Sequence, residues 1–169
     1  NISPRQFERP DIIERIVGIL KESGLPFAKV EIEITESVLM GQKDAAAKLR
    51  QLRACGLRVA VDDFGTGHSS LSTLRKFPFD KIKLDKSFVS GIQTDAGNLA
   101  IVRAVAGIAR GFKATTLAEG VETEAQLHAL RQEGFDEVQG FLLGRPMPQV
   151  QAEALMQADR KHVRRRAAH

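Results

Sequence analysis

The sequence contains one cysteine, no long hydrophobic run and few histidines, and these absences exclude several classes of protein. Cys55 has no partner for an internal disulfide, which suits a reducing compartment. No apolar run approaches the ~20 residues of a membrane-spanning helix, and the first residues show no signal-peptide pattern. We therefore expect a cytoplasmic location, either for the protein itself or for the cytoplasmic part of a membrane-anchored parent. The four histidines form no HExxH motif, so any metal ion would be held by oxygen ligands.

Negative charge is absent from the end of the chain. Residues 160–169 carry five Lys or Arg and no acid, and removing these five charges from the net charge of +4 leaves −1 for the rest. We expect residues 160–169 to be a solvated basic tail, and we expect no DNA or RNA polymer as a partner. Residues 1–159 contain no linker-like stretch, which predicts a single domain.

Short apolar runs alternate with helical patterns along this domain, which is typical of a parallel α/β sheet with right-handed crossovers. The predicted strands are Ala28–Thr35, Leu57–Asp63, Asp80–Asp85, Ala114–Glu119 and Asp136–Phe141. The predicted helices lie near Pro10–Ser23, Asp44–Ala54, Ser70–Lys76, Ala96–Arg110, Glu124–Glu133 and Val150–Asp159. The positions predicted to end helices as left-handed caps are Gly24, Gly56, Gly111 and Gly134. Thr123 and Gln126 have the spacing of a capping box.

The two faces of the predicted strands differ, which favours a barrel over an open doubly wound sheet. In AKVEIEIT, the Val and Ile residues share one face, while Glu31 and Glu33 share the other. A sheet covered by helices on both sides needs apolar residues on both faces. The pattern suits a TIM-like (β/α)8 barrel, which typically has ~250 residues. With five strands and a fragment at Asn1–Ile2, we expect an incomplete barrel that lacks its first two to three strands.

Polar residues follow the predicted strands, and a barrel would bring them to one mouth. They include the pair Asp62–Asp63 in VAVDDFGTGHSSL, where an apolar run stops at two carboxylates. The full set is Asn1, Glu33, Glu36, Asp62, Asp63, Lys83, Glu119, Glu122 and Gln139. Each residue alone also has an ordinary interpretation, such as a solvated turn or a surface lysine. Their recurrence at every strand end favours a shared site.

So many carboxylates in one pocket would repel each other unless cations lie between them. Oxygen ligands at this density suit Mg²⁺ or Mn²⁺, with Ca²⁺ as a competitor. A bend helped by Gly65 and Gly67 would turn both Asp62 and Asp63 towards a pair of ions. Two ions could clamp the attacking and leaving oxygens of a phosphodiester, with Lys83 as a positive charge near the water or the phosphate.

Six segments resemble the EAL-domain phosphodiesterases in order and spacing. They are NIS, EIEITESVLM, VAVDDFGTGHSSL, FDKIKLDKSFV, LAEGVET and VQGFLLGRPMP, and they extend over nearly the whole chain. The resemblance implies a TIM-like barrel that hydrolyses the bacterial messenger cyclic di-GMP to linear pGpG. The reaction would use two Mg²⁺ or Mn²⁺ ions, and Ca²⁺ would inhibit it. It also implies sensor or GGDEF domains in the parent chain.

The same resemblance implies roles for individual residues. The implied metal ligands are Asn1, Glu33, Asp62, Asp63 and Glu119, with Asp62 bridging to the second ion. The implied catalytic residues are Lys83 and Glu119, which would position or deprotonate the water. The implied substrate contacts are Gln139, Arg145 and Pro146, the last two near a guanine. The implied loop-stabilising residues are Glu36, Gly65, Gly67 and Glu122, with Glu36 bracing the DDFGTG loop.

The sequence departs from the family pattern at two places. His68 stands where a tyrosine is common. The signature Glu-Ala-Leu segment is absent, and its glutamate would supply a metal ligand. We therefore expect little or no activity from this chain alone, in contrast to its intact parent, and open strand edges that favour a homodimer or a domain-swapped oligomer.

Two other functions stay open. A degenerate EAL module would bind cyclic di-GMP or a protein partner without hydrolysis, although every matching acidic position in the chain is filled. A barrel enzyme without a metal ion, acting on a sugar or phosphate substrate through carboxylates and a lysine, would be indifferent to chelators.

Overall fold

Five parallel strands form one sheet, and their spatial order β1-β2-β3-β4-β5 is also their order in the chain. The strands are β1 Glu31–Thr35, β2 Arg58–Phe64, β3 Lys81–Leu84, β4 Thr115–Ala118 and β5 Glu137–Val138. This succession is that of a (β/α) barrel, because a doubly wound sheet reverses its strand order. The described residues therefore form part of a TIM-type barrel, as the strand faces predicted.

Helices connect the strands and cover one face of the sheet. They are α1 Pro4–Phe7, α2 Ile12–Ser23, α3 Glu36–Gly41, α4 Ala45–Ala54, α5 Leu71–Leu74, α6 Lys86–Ser90, α7 Ala96–Phe112 and α8 Glu124–Gln132. A short 3₁₀ helix at Phe27–Lys29 precedes β1, and residues 149–156 are also helical. Among the helices that the structure describes, none is long and apolar enough to cross a membrane.

The computed structural model describes residues 1–67 and 71–156, without the side chains of Met40, Leu71 and Thr73. His68 and the basic tail lie outside the described residues, as does the end of the predicted Val150–Asp159 helix.

The hydrophobic core lies between the sheet and the helices. The buried strand residues on this outer face are Ile32, Ile34, Val59, Val61, Ile82 and Leu84. Helix α4 packs on β2, and α7 packs on β3 and β4, with Leu49 and Val105 among the fully buried side chains. Burying one such side chain stabilises the fold by about 1.5–3 kcal/mol. The other face of the sheet carries the charged residues, so the chemistry of the site is separated from the core.

The helix ends differ from the prediction at one position. Gly24, Gly56 and Gly134 have positive φ angles, as predicted, and Thr123 forms a capping box with Gln126. The prediction for Gly111 was wrong. Helix α7 continues to Phe112, and Lys113 is the residue that adopts the left-handed conformation, with a φ of 57°.

Candidate active site

Lys83 lies at the centre of the site, near the carboxyl end of β3. Its Nζ atom is 2.8 Å from Glu119, 2.9 Å from Asp62 and 3.0 Å from Glu33, and the residue is 5% exposed. Burial alone would lower the pKa of the ammonium group, but hydrogen bonds to these three carboxylates outweigh burial and raise the pKa above its usual value. Lys83 is therefore a stable positive charge that joins strand β1, strand β2 and the end of β4.

A bend at the end of β2 brings Asp62 and Asp63 to the same site. The pairing between β2 and β3 shifts its register between Val61 and Phe64, and Asp63 has a left-handed φ of 52°. Carboxylate oxygens of Asp62, Asp63 and Glu119 lie within 4.8 Å of one another. In a regular strand, two adjacent side chains point to opposite faces. The bend is therefore what allows both aspartates to contribute to one cluster.

The electrostatics of Asp63 show that negative charge is in excess here. Burial is the main cause that raises the pKa of the Asp63 carboxyl, and the charges of Asp62 and Asp85 raise it further. Lys83 acts in the opposite direction but does not compensate fully. Asp85 caps helix α6 by accepting a hydrogen bond from the backbone N–H of Ser87 at 2.9 Å. Our sequence analysis did not assign Asp85 to the site, although it directly follows β3 and the strand-end rule would have found it.

Glu36, the first residue of α3, holds the loop that follows β2. Its Oε2 atom accepts a hydrogen bond from the backbone N–H of Gly65 at 3.2 Å, and the residue is 4% exposed. A Cβ atom at residue 67 would lie 2.7 Å from Oε1 of Glu36. The carboxylate therefore packs directly against the backbone of Gly67. This geometry supports the bracing role that the resemblance implies for Glu36.

Phe88 on helix α6 lies against the same loop at Gly65. Gly65 has a φ of 96°, and a Cβ atom there would lie 2.9 Å from the Phe88 ring. The ring and the loop are neighbours only because β2 and β3 pair in the sheet, so the sequence carried no spacing signal for this contact.

The donor atoms of the cluster fit a hard divalent cation. Apart from the Lys83 ammonium group, the groups that converge there are carboxylates, and Mg²⁺, Mn²⁺ and Ca²⁺ prefer oxygen ligands. The pKa of Asp63 is raised first by burial and then by the negative charges of Asp62 and Asp85, and a cation would offset both effects.

Asn1 and Glu122 lie near strand ends but outside the ion-pair cluster. Asn1 is exposed and runs beside β1, because the N–H of Ile2 donates to the Glu33 carbonyl at 2.9 Å. Glu122 is also exposed, and its backbone N–H donates to the side-chain oxygen of Gln126 at 2.8 Å. The side chain that visibly holds this loop is therefore Gln126, and the role of Glu122 stays a prediction.

Gln139, Arg145 and Pro146 line one groove beside β5. The groove has a volume of about 570 Å³ and also includes Phe141 and Met147. The guanidinium carbon of Arg145 lies 4.3 Å from the centre of the Phe141 ring. The three predicted substrate contacts thus lie together, after β5, which is the strand next to the one that Glu119 follows.

The sequence matches a known family over most of its length. The EAL domain model matches residues 1–146. The chain belongs to the EAL domain family. The match includes all five strands and every site residue named in the sequence analysis, so the family resemblance of the six segments is confirmed.

Relatives of this EAL domain occur in several bacteria. An uncharacterized signaling protein of Caulobacter vibrioides is 50% identical over 149 residues, which are 88% of this chain and 18% of that protein. MucR of Pseudomonas aeruginosa, a bifunctional diguanylate cyclase/cyclic di-GMP phosphodiesterase, is 40% identical over 149 residues, which are 88% of this chain and 22% of MucR. The chain thus spans about a fifth of the length of the curated relatives it matches.

Solved EAL structures have the same fold. The EAL domain of Mycobacterium smegmatis DcpA is 42% identical, with a TM-score of 0.89 over 94% of this chain and 71% of that one. The MucR phosphodiesterase in complex with c-di-GMP is 39% identical, with a TM-score of 0.86 over 90% and 62%. A manganese and cyclic di-GMP complex of Klebsiella pneumoniae BlrP1 at pH 6 is 36% identical, with a TM-score of 0.76 over 83% and 36%. The described part is therefore a partial EAL barrel.

Proposed function

We propose that this EAL domain hydrolyses cyclic di-GMP to linear pGpG in bacterial second-messenger signalling, as part of an intact parent domain. The observation that carries the proposal is the convergence of Glu33, Asp62 and Glu119 on Lys83, with Asp63 in the same cluster. Structures of similar proteins with cyclic di-GMP, and with manganese or calcium, support the choice of substrate and metal ions.

The proposed cofactors are two Mg²⁺ or Mn²⁺ ions, with Ca²⁺ as an inhibitor. The residues that would hold them are Asn1, Glu33, Asp62, Asp63 and Glu119. When bound, such ions polarise a phosphodiester and make a water molecule more acidic. The loop contacts of Glu36, Gly65 and Gly67 would keep the two aspartates in place, as described above.

Lys83 and Glu119 would divide the remaining chemistry between them. Lys83 keeps its proton because three carboxylates raise its pKa, so it can donate hydrogen bonds to a phosphate oxygen or to the attacking water. The same raised pKa makes Lys83 a poor proton acceptor. The carboxylate of Glu119 lies 2.8 Å from Lys83, and its side chain is 26% exposed. We therefore assign proton acceptance to Glu119 and charge stabilisation to Lys83.

The groove beside β5 is the proposed place for part of the nucleotide. Gln139, Arg145 and Pro146 line it together, and its apolar wall with one guanidinium group suits a flat base. This placement agrees with the expectation that Arg145 and Pro146 lie near a guanine.

The test compares hydrolysis of cyclic di-GMP by two proteins in Mg²⁺ and in Mn²⁺. One is the 169-residue chain, and the other is the same chain extended at its N-terminus by the first strands of the DcpA EAL domain. We expect the extended protein to form pGpG and the chain alone to form little or none, because its open sheet leaves the site incomplete. An Asp62→Ala variant of the extended protein should lose all metal-dependent turnover.

Three results would contradict parts of this proposal. Robust turnover by the chain alone would show that the additional strands are not needed. Turnover that is indifferent to chelator would favour a metal-free barrel enzyme. Binding of cyclic di-GMP by the extended protein without any pGpG would favour a degenerate EAL module.

The open edges of the sheet also bear on assembly. Among the described residues, β1 and β5 are the edge strands. Unpaired edges favour a homodimer or a domain-swapped oligomer, which sedimentation of the chain would detect. MucR combines cyclase and phosphodiesterase functions in one protein, which supports a parent chain with a GGDEF domain. A sensor domain and a cytoplasmic location stay predictions.

A further inference from the structure

A second ion-pair layer lies on the charged face of the sheet, two residues along β3 from Lys83. The Nζ atom of Lys81 is 3.1 Å from Glu31 and 2.7 Å from Glu137. We call these three residues the base layer. They come from β1, β3 and β5, so the base layer crosses the inner face over alternate strands. The site described above does not use any of the three.

The strand register gives Lys81 another acidic neighbour. Glu33 and Lys81 are both register partners of Ala60 in β2. Glu33 therefore lies level with Lys81, two strands away, at a Cα separation of roughly 9–10 Å. Ala60, whose side chain is a single methyl group, is the β2 residue between them. Lys81 already reaches Glu31, which is on the same strand as Glu33 and one inward-facing position further away, so Glu33 is within its range.

The hydrogen bonds of the two lysines differ in number. An ammonium group has three donors. Lys83 uses them on three carboxylates, whereas Lys81 has ion pairs with the two glutamates of the base layer. If the ammonium group of Lys81 turned to Glu33, that carboxylate would serve two lysines and would have fewer lone pairs for a cation.

We propose that Glu31 and Glu137 position Lys81 so that its ammonium group stays away from Glu33, which keeps the Glu33 carboxylate for Lys83 and for a divalent cation. The inference rests on the proposed metal site. Lys81, Glu31 and Glu137 are thus positioning residues that act through Glu33 and touch neither metal ion nor substrate.

Titration of Mn²⁺ alone into the full chain, followed by calorimetry, tests this role. Glu31→Met removes one partner of Lys81, and we expect Mn²⁺ affinity to fall about 3- to 10-fold, because residues in one ion-pair network are energetically coupled. Lys81→Met should not lower the affinity. In the double variant Glu31→Met/Lys81→Met, Mn²⁺ affinity should return to within about two-fold of that of the unsubstituted chain, because two apolar side chains can replace an ion pair.

The double variant separates positioning from a general structural role. If the base layer only stabilises the fold, the double variant should bind Mn²⁺ at least as weakly as Glu31→Met, and that result would overturn the proposal. An unchanged affinity in Glu31→Met would overturn it as well. Glu133→Met is the matched control, because it removes a glutamate from the Arg103 ion pair between α7 and α8 and should leave the affinity unchanged.

A measurement without metal distinguishes failure of this inference from failure of the proposed function. In chelator, double-mutant cycles by urea unfolding should reveal a coupling free energy between Lys81 and Glu33 in the Glu31→Met background. The same cycle in the chain with Glu31 intact should reveal none. Absence of that coupling overturns the positioning role. If the coupling is found but the N-terminally extended protein binds no Mn²⁺, the positioning of Lys81 stands and the proposed metal site fails.

Discussion

Glu36 and Gly67 are in such close contact that residue 67 has no space for a side chain. A Cβ atom there would lie 2.7 Å from Oε1 and 2.9 Å from the carboxyl carbon of Glu36. The same carboxylate accepts the N–H of Gly65, so both glycines of the loop are held by one group. The placement of the Asp62–Asp63 pair depends on this loop, which makes the contact open to direct tests.

A Gly67→Ala substitution should displace the loop. The added methyl group forces Glu36 or the loop backbone to move, at an expected cost of about 1–3 kcal/mol in the free energy of unfolding. We expect Mn²⁺ affinity to fall about ten-fold, because a shifted loop would move Asp62 and Asp63, and residues in contact are energetically coupled. Gly107→Ala on α7 is the control, since no atom other than its own neighbouring helix backbone lies within 4 Å of its Cβ position. Equal Mn²⁺ affinities in calorimetry for the unsubstituted chain and Gly67→Ala would contradict the bracing contact.

Substitutions of Glu36 should separate its charge from its hydrogen bond. Glu36→Gln keeps an oxygen that can accept the Gly65 N–H, whereas Glu36→Ala removes this part-buried hydrogen bond, at a cost of about 0.5–1.5 kcal/mol. We therefore expect Mn²⁺ affinity and the urea midpoint to fall more in Glu36→Ala than in Glu36→Gln. Unchanged metal titrations in both variants would rule out the loop as the link between Glu36 and the site.

Lys83→Met should make stability depend on metal. Without the ammonium group, Glu33, Asp62 and Glu119 repel each other. We expect the free energy of unfolding in chelator to fall by ~3 kcal/mol, the lower end of the range for breaking a buried ion pair, because these carboxylates are partly exposed. For a domain of this size, that loss lowers Tm by about 6–12 °C. Added Mn²⁺ should raise Tm more in Lys83→Met than in the unsubstituted chain.

The control for this experiment is Arg103→Met, which removes a cation from an exposed ion pair. Such pairs contribute about 0–1 kcal/mol. Equal Tm values for Lys83→Met and the parent in chelator would show that the three carboxylates need no compensating charge.

Asp63→Asn should stabilise the metal-free protein at neutral pH. The pKa of Asp63 is raised in the folded state by burial and then by the charges of Asp62 and Asp85, so the folded protein holds this proton more tightly than the unfolded chain does. The free energy of unfolding therefore falls as pH rises through and above the usual carboxyl range of about 4. Asparagine removes this loss, and the Tm advantage of the variant should disappear in acid, where Asp63 is protonated in both states.

Metal binding should change in the opposite direction, because Asp63→Asn removes a charged ligand. Asp11→Asn provides a contrast, since the hydrogen bond and charge of Arg9 lower the pKa of Asp11 and its removal should give no gain at neutral pH. If Asp63→Asn is less stable than the parent in chelator at pH 7, the cluster does not carry surplus negative charge.

The alternation of residues along each strand was enough to predict the sheet and the face that carries the site. In AKVEIEIT the apolar residues form the core face, and in DKIKLD the two lysines lie on the charged face, as the period of two requires. Helices α1, α3 and α6 were not predicted, because four to six residues are too short for a helical period to emerge. Two of these missed helices supply Glu36 and Phe88, which support the loop after β2.

The arrangement of charges within the site could be predicted only in outline. Polar residues at strand ends identified Asp62, Asp63, Lys83 and Glu119. The three-way ion pair of Lys83 depends on side-chain reach across strands that are distant in the chain, and so do the contacts of Lys81. The left-handed conformation of Asp63 was indicated only indirectly, by the glycines that follow it.

The buried lysine in the centre of the cluster gives the chain its own internal counter-ion. Its positive charge offsets acidic side chains before any ion arrives, so a newly made polypeptide need not wait for magnesium or manganese to fold. If the proposed metal site holds, scarcity of metal would empty that site without unfolding the chain.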